Sequence, residues 1–240
     1  MTQPPKSIRR ILLKLSGESL GKDGEGVDPD VCSTVAESIG RVQRLGVEIA
    51  VVVGGGNLLR GAEFARRGTN RATADHMGML ATSINTLALQ DALERAGTET
   101  RAASAVEMKT LMEPYIRRRM MRHLEKGRVV VLAGGTGNPY FTTDTAAALR
   151  ATELSVDAVL KATKVDGIYS ADPREDPSAR RFEHLTFREA IQRELKVMDQ
   201  TAFTLCMENN MPIMVFNMFV DGNMERAVRG ENIGTWVTAD

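Results

Sequence analysis

Residues 49–57 read IAVVVGGGN, a run of aliphatic residues that ends directly in three glycines. Four further short runs, at residues 11–15, 129–133, 156–160 and 213–216, are also rich in Val, Ile and Leu. Runs of this length without alternating polar residues are typical of strands that are buried on both faces of a parallel sheet. The pattern predicts five such strands, the second of which ends in a tight glycine-rich turn.

Three stretches between these runs carry apolar residues at helical spacing, within residues 31–45, 77–88 and 116–124. Strands that alternate with helices in this way predict an α/β sandwich with a mainly parallel central sheet. The longest turn-rich interruption, residues 163–181, contains Asp-Gly and Asp-Pro pairs. We expect it to join two lobes of a single domain, residues 1–160 and 161–240.

The composition excludes several classes of protein. The 240 residues include 31 Lys and Arg and 31 Asp and Glu, so no global positive field attracts nucleic acid or anionic lipid. Cys32 and Cys206 are far apart, and the three histidines are isolated from one another, which argues against a disulfide framework or a metal cluster. No run approaches the ~18 apolar residues of a membrane span. We expect a cytoplasmic protein with no membrane or nucleic-acid partner.

Glycine-bearing turns follow three of the predicted strands, at residues 14–18, 54–57 and 134–139. In an open α/β sheet, ligands bind outside the carboxyl ends of the strands, and glycine lets the backbone approach a phosphate closely. Each turn alone could be a plain strand-to-helix connection, but three of them favour a shared phosphate site. Neither GxxxxGK[ST] nor GxGxxG occurs, so the two most familiar nucleotide-binding loops are absent.

Five segments occur in the same order as in a known family. They are KLSGE at 14–18, GGGNLLRG at 54–61, DHMGM at 75–79, GTGNPYFTTD at 135–144 and KATKVDG at 161–167. Together they resemble the bacterial UMP kinases of the amino-acid kinase superfamily. The first two are common to the superfamily, whereas DHMGM and GTGNPYFTTD are more particular to the UMP kinases. The resemblance runs from about residue 8 to residue 235.

The resemblance implies a three-layer α/β/α fold whose mainly parallel sheet has about eight strands. It implies the formation of UDP from UMP in pyrimidine nucleotide biosynthesis, with ATP and Mg²⁺ as the donor system. It also implies a homohexamer, built as a trimer of dimers, that GTP activates and UTP inhibits. The acceptor phosphate is largely a dianion, since its second pKa is about 6, so direct in-line transfer needs no general base.

The resemblance assigns the transfer step to three residues. Lys14 and Lys161 are expected to stabilise the transferred phosphoryl group as cations, and Asp144 to orient Lys14. From the residues alone, each lysine could instead cap a strand end, and Asp144 could be the N-cap of a helix.

The resemblance also assigns residues to the phosphoryl donor. Arg60 could instead form an ion pair with a neighbouring acid such as Glu63, and Tyr169 could pack in the core rather than stack on a base. The expected ATP-binding residues are Lys14, Leu15, Ser16, Gly17, Gly56, Arg60, Thr163, Tyr169 and Asp172.

Acceptor residues follow from the DHMGM and GTGNPYFTTD segments. Asp75 is expected to bind the ribose hydroxyls, although unaided it predicts a helix N-cap. Asp199 is expected to lie on the metal side of the site, where Mg²⁺ needs only one or two carboxylates. The expected UMP-binding residues are Gly55, Asp75, Thr136, Gly137, Asn138, Pro139, Tyr140, Phe141, Thr142 and Thr143.

Regulation is expected from a loop and two arginines that match the GTP-binding positions of the family. Gln90 and Glu94 depart from that pattern, because some members carry basic or imidazole side chains there. Two alternative functions stay open: an acyl-phosphate-forming relative that acts on an amino acid or carbamate, and a nucleotide sensor without turnover. The expected GTP-binding residues are Lys22, Asp23, Gly24, Glu25, Gly26, Val27, Arg101 and Arg128.

Overall fold

A single sheet of nine strands runs through the part of the chain that the structure, a computed structural model, describes: residues 5, 8–23, 26–173, 175–195 and 197–239. The strand order is β4-β3-β5-β2-β1-β6-β8-β9-β7. The strands are β1 (Arg10–Leu15), β2 (Glu48–Val53), β3 (Thr100–Ser104), β4 (Glu113–Pro114), β5 (Val129–Ala133), β6 (Ala158–Thr163), β7 (His184–Thr186), β8 (Ile213–Asn217) and β9 (Gly234–Thr238).

All five predicted strands are present. In the spatial order of the sheet, every neighbouring pair of strands between β4 and β8 is parallel. Among the described strands, only β8 and β9 pair in antiparallel orientation. The sheet therefore has the mainly parallel character that the apolar runs predict. β6 begins two residues later than predicted and extends to Thr163. The proposed lobe boundary at residue 160 lies inside β6, so residues 1–160 and 161–240 share one sheet.

Helices connect the strands. The predicted helices at 31–45, 77–88 and 116–124 correspond to α1, α3 and α4. The helices are α1 (Pro29–Arg44), α2 (Gly61–Arg66), α3 (Arg71–Arg95), α4 (Arg117–Glu125), α5 (Thr143–Leu154), α6 (Phe187–Gln192), α7 (Gln200–Glu208) and α8 (Asn223–Val228), with a 3₁₀ turn at Gly17–Leu20.

The sheet separates two hydrophobic cores, which makes the fold a three-layer α/β/α sandwich. Side chains alternate along β1: Leu13 and Leu15 pack with α1, α3 and α8 on one face, and Leu12 packs with α4, α5 and α7 on the other. These strand residues are fully buried. Because even-numbered positions of β1 point toward α5, Lys14 is directed to that face as well.

The order β5-β2-β1-β6 places four strands side by side at the centre of the sheet. The three glycine turns follow β5, β2 and β1, and neighbouring parallel strands end at the same edge. The turns are thus brought together at the carboxyl edge, as the strand pattern predicts.

Helix α3 carries two large apolar side chains that are about half exposed, Leu80 at 53% and Ile84 at 54%.

The two cysteines, Cys32 and Cys206, are both free and buried. Burial and the nearby Asp144 and Asp199 carboxylates raise the pKa of the Cys206 thiol to about 12. None of the helices in the described ranges is long and apolar enough to cross a membrane.

Candidate active site

The turns after β1 and β2 touch through their backbones. A Cβ atom on Gly17 would lie 2.3 Å from Asn57 Oδ1 and 2.8 Å from the Gly54 carbonyl oxygen. The Gly54 N–H donates to the Leu15 carbonyl at 2.9 Å. Only glycine allows this approach at position 17. Since the Leu15 side chain is fully buried, only its main chain can reach a ligand at this edge.

A carboxylate flanked by two ammonium groups lies where β1 and β6 meet α5. Lys14 and Lys161 are register partners on adjacent parallel strands. Lys14 Nζ lies 2.8 Å from Asp144 Oδ1, and Lys161 Nζ lies 2.9 Å from Asp144 Oδ2. Lys161 also donates to the Val197 carbonyl at 2.6 Å. The three predicted catalytic residues are therefore in contact, and the cluster carries a net positive charge.

Burial works against the charge on Asp144, but the neighbouring ammonium groups of Lys14 and Lys161 outweigh it and hold the pKa of the carboxyl below its usual value. Burial lowers the pKa of Lys161, and the Asp144 carboxylate opposes that shift. The structural alternative for Asp144 is wrong: the N-cap of α5 is Thr142, whose hydroxyl accepts from the Asp144 and Thr145 N–H groups. Asp144 is free to bind both lysines because Thr142 caps the helix.

The depressed pKa of Asp144 makes part of the stability pH-dependent. Because the folded pKa lies below the unfolded value of about 3.9, the stabilisation is complete above that value and is lost as the pH falls through the folded pKa. We expect the difference in unfolding free energy between wild type and Asp144→Asn to shrink below about pH 4. Urea unfolding between pH 7 and pH 3 measures it. A difference that stayed constant across this range would contradict the assignment.

A cavity of about 200 Å³ opens beside this cluster, between the glycine turns and the first half of α3. Gly137, Pro139 and Tyr140 belong to the loop at its rim without lining it, and Asn138 faces a neighbouring cavity of about 610 Å³ between α5 and α7. The predicted acceptor residues that line the smaller cavity are Gly55, Asp75, Thr136, Phe141, Thr142 and Thr143.

Asp75 is not the N-cap of α3, contrary to the structural alternative. Asn70 caps the helix by accepting from the N–H groups of Ala72 and Thr73. The Asp75 carboxylate lines the smaller cavity, forms an ion pair with Arg71 at 2.9 Å and accepts from the Tyr140 N–H at 2.7 Å. It thereby ties α3 to the loop that follows β5.

A third cavity, of about 570 Å³, lies on the other side of the cluster, beyond β6. Lys161 lines it together with Thr163, Tyr169 and Asp172. The Tyr169 hydroxyl donates to Asp166 at 2.7 Å, and the ring is only half-buried. The core-packing alternative for Tyr169 is therefore wrong, because the ring lines a cavity that could hold a planar base.

Arg60 forms an ion pair, but with a different acid from the one suggested by the sequence. Its partner is Glu18 of the first glycine turn, whereas Glu63 pairs with Arg67 at 2.6 Å. The Arg60 side chain is 63% exposed. It bridges the turns after β1 and β2 at the rim of the site and can exchange its carboxylate for a phosphate. Ser16, in the same turn, contacts the Ser19 hydroxyl at 2.9 Å.

Asp199 is the N-cap of α7 and lies on the α5 side of the cluster. Its carboxylate accepts from the Ala202 N–H at 3.0 Å and from the hydroxyls of Thr142 and Thr145. Within the described ranges, no group of three or more His, Cys, Asp or Glu side chains could hold a metal ion. Mg²⁺ that is bound mainly by nucleotide phosphates and water takes only one or two carboxylates from the protein, and Asp199 has the chemistry for that part.

The predicted GTP-binding residues divide between two ends of the sheet. Gly26 contacts Asn57, which follows the carboxyl end of β2. Arg101 and Arg128 both pair with Glu99, just before the amino end of β3. Lys22, Asp23 and Val27 accompany Gly26, whereas Gly24 and Glu25 lie outside the described residues. A strand of five or six residues is about 17–20 Å long, so one chain does not bring the two sets together.

The inner face of α3 contributes residues that the sequence did not single out. Thr82 accepts from the Gly134 N–H at 2.9 Å, and Asn85 donates to the Gly54 carbonyl at 2.7 Å. Both side chains are buried. Two polar residues spaced at i and i+3 beside an apolar stripe of a helix are the sequence pattern that could have identified Thr82 and Asn85.

These features define an α/β protein whose glycine turns and lysine cluster lie together at the carboxyl edge of its sheet, the edge at which open α/β sheets bind ligands. A sequence model of the amino acid kinase family matches residues 9–217. The chain belongs to the amino acid kinase family. This confirms the superfamily that the five sequence segments indicate.

Solved structures of the family resemble this chain closely. UMP kinase from Bacillus anthracis is 36% identical with a TM-score of 0.94, and the match covers 98% of this chain and 97% of that one. UMP kinase from Ureaplasma parvum is 37% identical with a TM-score of 0.89, over 96% and 99% of the two chains. Uridylate kinase from Archaeoglobus fulgidus is 29% identical with a TM-score of 0.73, over 95% and 99%. The predicted resemblance to UMP kinases is confirmed.

Proposed function

We propose that this protein is a kinase that transfers the terminal phosphoryl group of ATP to UMP, forming UDP and ADP. The observation that carries the proposal is the position of the Lys14–Asp144–Lys161 cluster. Lys161 lines the cavity of about 570 Å³, and Asp144 follows Thr143, which lines the cavity of about 200 Å³. A positively charged cluster with one cavity on either side suits two phosphate-bearing substrates whose phosphates must approach one another.

Phosphoryl transfer requires alignment and neutralisation of charge rather than covalent chemistry by the protein. A UMP phosphate oxygen forms the new bond to the γ-phosphorus as the bond to the β-phosphate oxygen breaks, and ADP leaves. Lys14 and Lys161 stabilise the negative charge in transit, and Asp144 holds both ammonium groups in place. UMP supplies its own nucleophile as a dianion, so no side chain has to remove a proton.

The donor and the acceptor are assigned to the two cavities. We place ATP in the cavity of about 570 Å³, with Thr163, Tyr169 and Asp172 around the adenine and ribose, and UMP in the cavity of about 200 Å³. Mg²⁺ bound to the donor phosphates supplies further neutralisation of charge, and Asp199 is the carboxylate of this chain that we place on the metal side. In this scheme residues 1–160 form the acceptor lobe and residues 161–240 the donor lobe.

We extend the proposal to regulation by GTP and UTP and to a homohexamer, which the resemblance implies. The separation of Gly26 from Arg101 and Arg128 means that these residues contact one GTP molecule only if they come from different subunits. The exposed Leu80 and Ile84 on α3 are candidates for a subunit contact, because apolar side chains of this size gain from burial.

The reaction is tested by measuring ADP release from ATP and Mg²⁺ with UMP, CMP, dUMP, acetylglutamate and carbamate in parallel, with and without GTP. We expect turnover with UMP and none with acetylglutamate or carbamate. Turnover with either of the last two would favour the acyl-phosphate alternative. Tight UTP or GTP binding without turnover of any acceptor would favour the sensor.

Asp75→Asn tests the acceptor cavity. The amide keeps the shape of the side chain but loses the charge that pairs with Arg71 and one acceptor for the ribose hydroxyls. We expect the KM for UMP to rise about tenfold or more, while the KM for ATP changes less than threefold, since a hydrogen bond to a charged group contributes about 1.5–3 kcal/mol. Initial rates with each nucleotide varied in turn measure both. Equal increases would remove Asp75 from the ribose.

A further inference from the structure

The side chain of Asn85 is fully buried in α3 and makes hydrogen bonds to the turn after β2. Its Nδ2 atom donates to the Gly54 carbonyl at 2.7 Å and to Asn57 Oδ1 at 2.7 Å. Asn57 Nδ2 donates back to Asn85 Oδ1 at 3.1 Å. Asn85 thus binds both ends of the segment Gly54–Asn57, whose inner residues, Gly55 and Gly56, are assigned to the nucleotide phosphates.

The amide pair is specific in its chemistry. The Gly54 carbonyl can only accept, so the side chain at position 85 must offer an N–H group to it. The Asn57 side-chain amide in turn donates to the Gly26 carbonyl. The main-chain carbonyl oxygen of Asn57 accepts from the Gly26 N–H at 3.1 Å. A buried amide network of this kind holds one backbone geometry, because each broken bond leaves a desolvated polar atom.

The same face of α3 supports the turn sterically. A Cβ atom on Gly55 would lie 2.8 Å from the Ala81 Cβ and 3.0 Å from the Gly78 carbonyl oxygen. Gly78, Ala81, Thr82 and Asn85 are spaced at i, i+3, i+4 and i+7, so they form one stripe of the helix. A Cβ atom on Gly56, in contrast, would meet no atom within 4 Å. The turn is fixed on the helix side and open on the ligand side.

We infer that Asn85 is a positioning residue for phosphoryl transfer, which holds the backbone of Gly54–Asn57 in the geometry that binds the nucleotide phosphates. The inference rests on the proposed function. It predicts that loss of the Asn85 amide affects both nucleotides, because the turn carries Gly55, which is assigned to the acceptor, and Gly56, which is assigned to the donor, and both line the cavity of about 200 Å³. Asp75, which lines only the acceptor cavity, is expected to affect UMP alone.

Asn85→Leu, which keeps the number and branching of the side-chain heavy atoms and removes the amide, is the test. We expect kcat at saturating ATP and UMP to fall about tenfold to a hundredfold, and the KM values of both nucleotides to rise, since small misplacement of a binding group costs this much. Thermal unfolding shows that the variant is folded at the assay temperature. A role confined to stability would lower the unfolding temperature and leave kcat and KM of the folded enzyme unchanged, which would overturn the inference.

Thr86→Val is the matched control. Thr86 is the next residue of α3, is fully buried, and its hydroxyl has no hydrogen-bond partner among the described residues. We expect wild-type kcat and KM from this variant, and a loss comparable to that of Asn85→Leu would overturn the inference.

A second variant guards against misfolding. Asn57→Ala removes the partner amide and leaves α3 intact, so it should reproduce the kinetic loss, and wild-type kinetics would overturn the inference. If the wild type forms no UDP, the proposed function fails on its own. Calorimetry of ATP and UMP binding to the same variants then tests the position of the turn, and unchanged affinity would overturn the inference.

Discussion

Replacement of Lys14 by Ala is expected to lower kcat about 10²–10³-fold, the effect typical of removing one preorganised group that stabilises charge in the transition state. The Lys14 side chain is 11% exposed and its ammonium lies 2.8 Å from the Asp144 carboxylate, so it is held in the cluster that lies between the two cavities. Because it stabilises the group in transit rather than the bound acceptor, we expect the affinity for UMP to change only a few-fold. Rapid-quench measurement of UDP formation gives the effect on the transfer step, and equilibrium binding of UMP gives the effect on affinity.

Two variants make the result for Lys14 interpretable. Lys14→Met keeps most of the apolar stem, so a loss shared by Met and Ala comes from the charge rather than from packing. Lys109→Ala removes an exposed lysine that pairs with Glu107 and should leave kcat unchanged. A fall in UMP affinity as large as the fall in kcat would move Lys14 from the transfer step to acceptor binding.

Asp144→Asn is expected to destabilise the folded protein by about 3–5 kcal/mol, the usual effect of removing one partner from a buried ion pair. The Lys14, Asp144 and Lys161 side chains are only 11%, 15% and 17% exposed, so two ammonium groups would face each other with little solvent between them. Turnover should fall as well, since the carboxylate that binds both ammonium groups is lost. Urea unfolding at pH 7 measures the first effect and UDP formation the second.

The control for Asp144 is Asp91→Asn. Asp91 pairs with Arg95 at 2.9 Å on the surface of α3, and both side chains are more than half exposed. Exposed pairs of this kind contribute about 1 kcal/mol or less. If Asp144→Asn and Asp91→Asn lowered the free energy of unfolding equally, the Lys14–Asp144–Lys161 cluster would stabilise the fold no more than an exposed ion pair does.

The central strands could be predicted because they carry continuous apolar runs. β3, with the sequence TRAAS, and the two-residue β4 lack such runs and are identified only by their pairing. The order of the strands is likewise a property of the packed sheet. It brings the turns after β1, β2 and β5 together, which local sequence cannot show.

The residues assigned to the candidate site came from the sequence, whereas the residues that hold them in place came only from the structure. Lys14, Lys161 and Asp144 were assigned by resemblance, and the structure shows why they are in contact: register partners on two strands meet the first turn of α5. Asp75 and Asp144 each precede a helical pattern, so they suggested N-caps, whereas Asn70 and Thr142 cap α3 and α5. A single sequence does not show which of two nearby polar side chains accepts from the free N–H groups of the first helical turn.

The two buried cysteines make the chain a convenient carrier for chemical labels. With Cys32 and Cys206 closed to solvent, thiol reagents report only on molecules that have opened. A cysteine introduced at the exposed Leu80 of α3 would then be the sole reactive thiol of the folded chain in the described ranges. A dye attached there would report, by its fluorescence, whether that helix meets another subunit in solution.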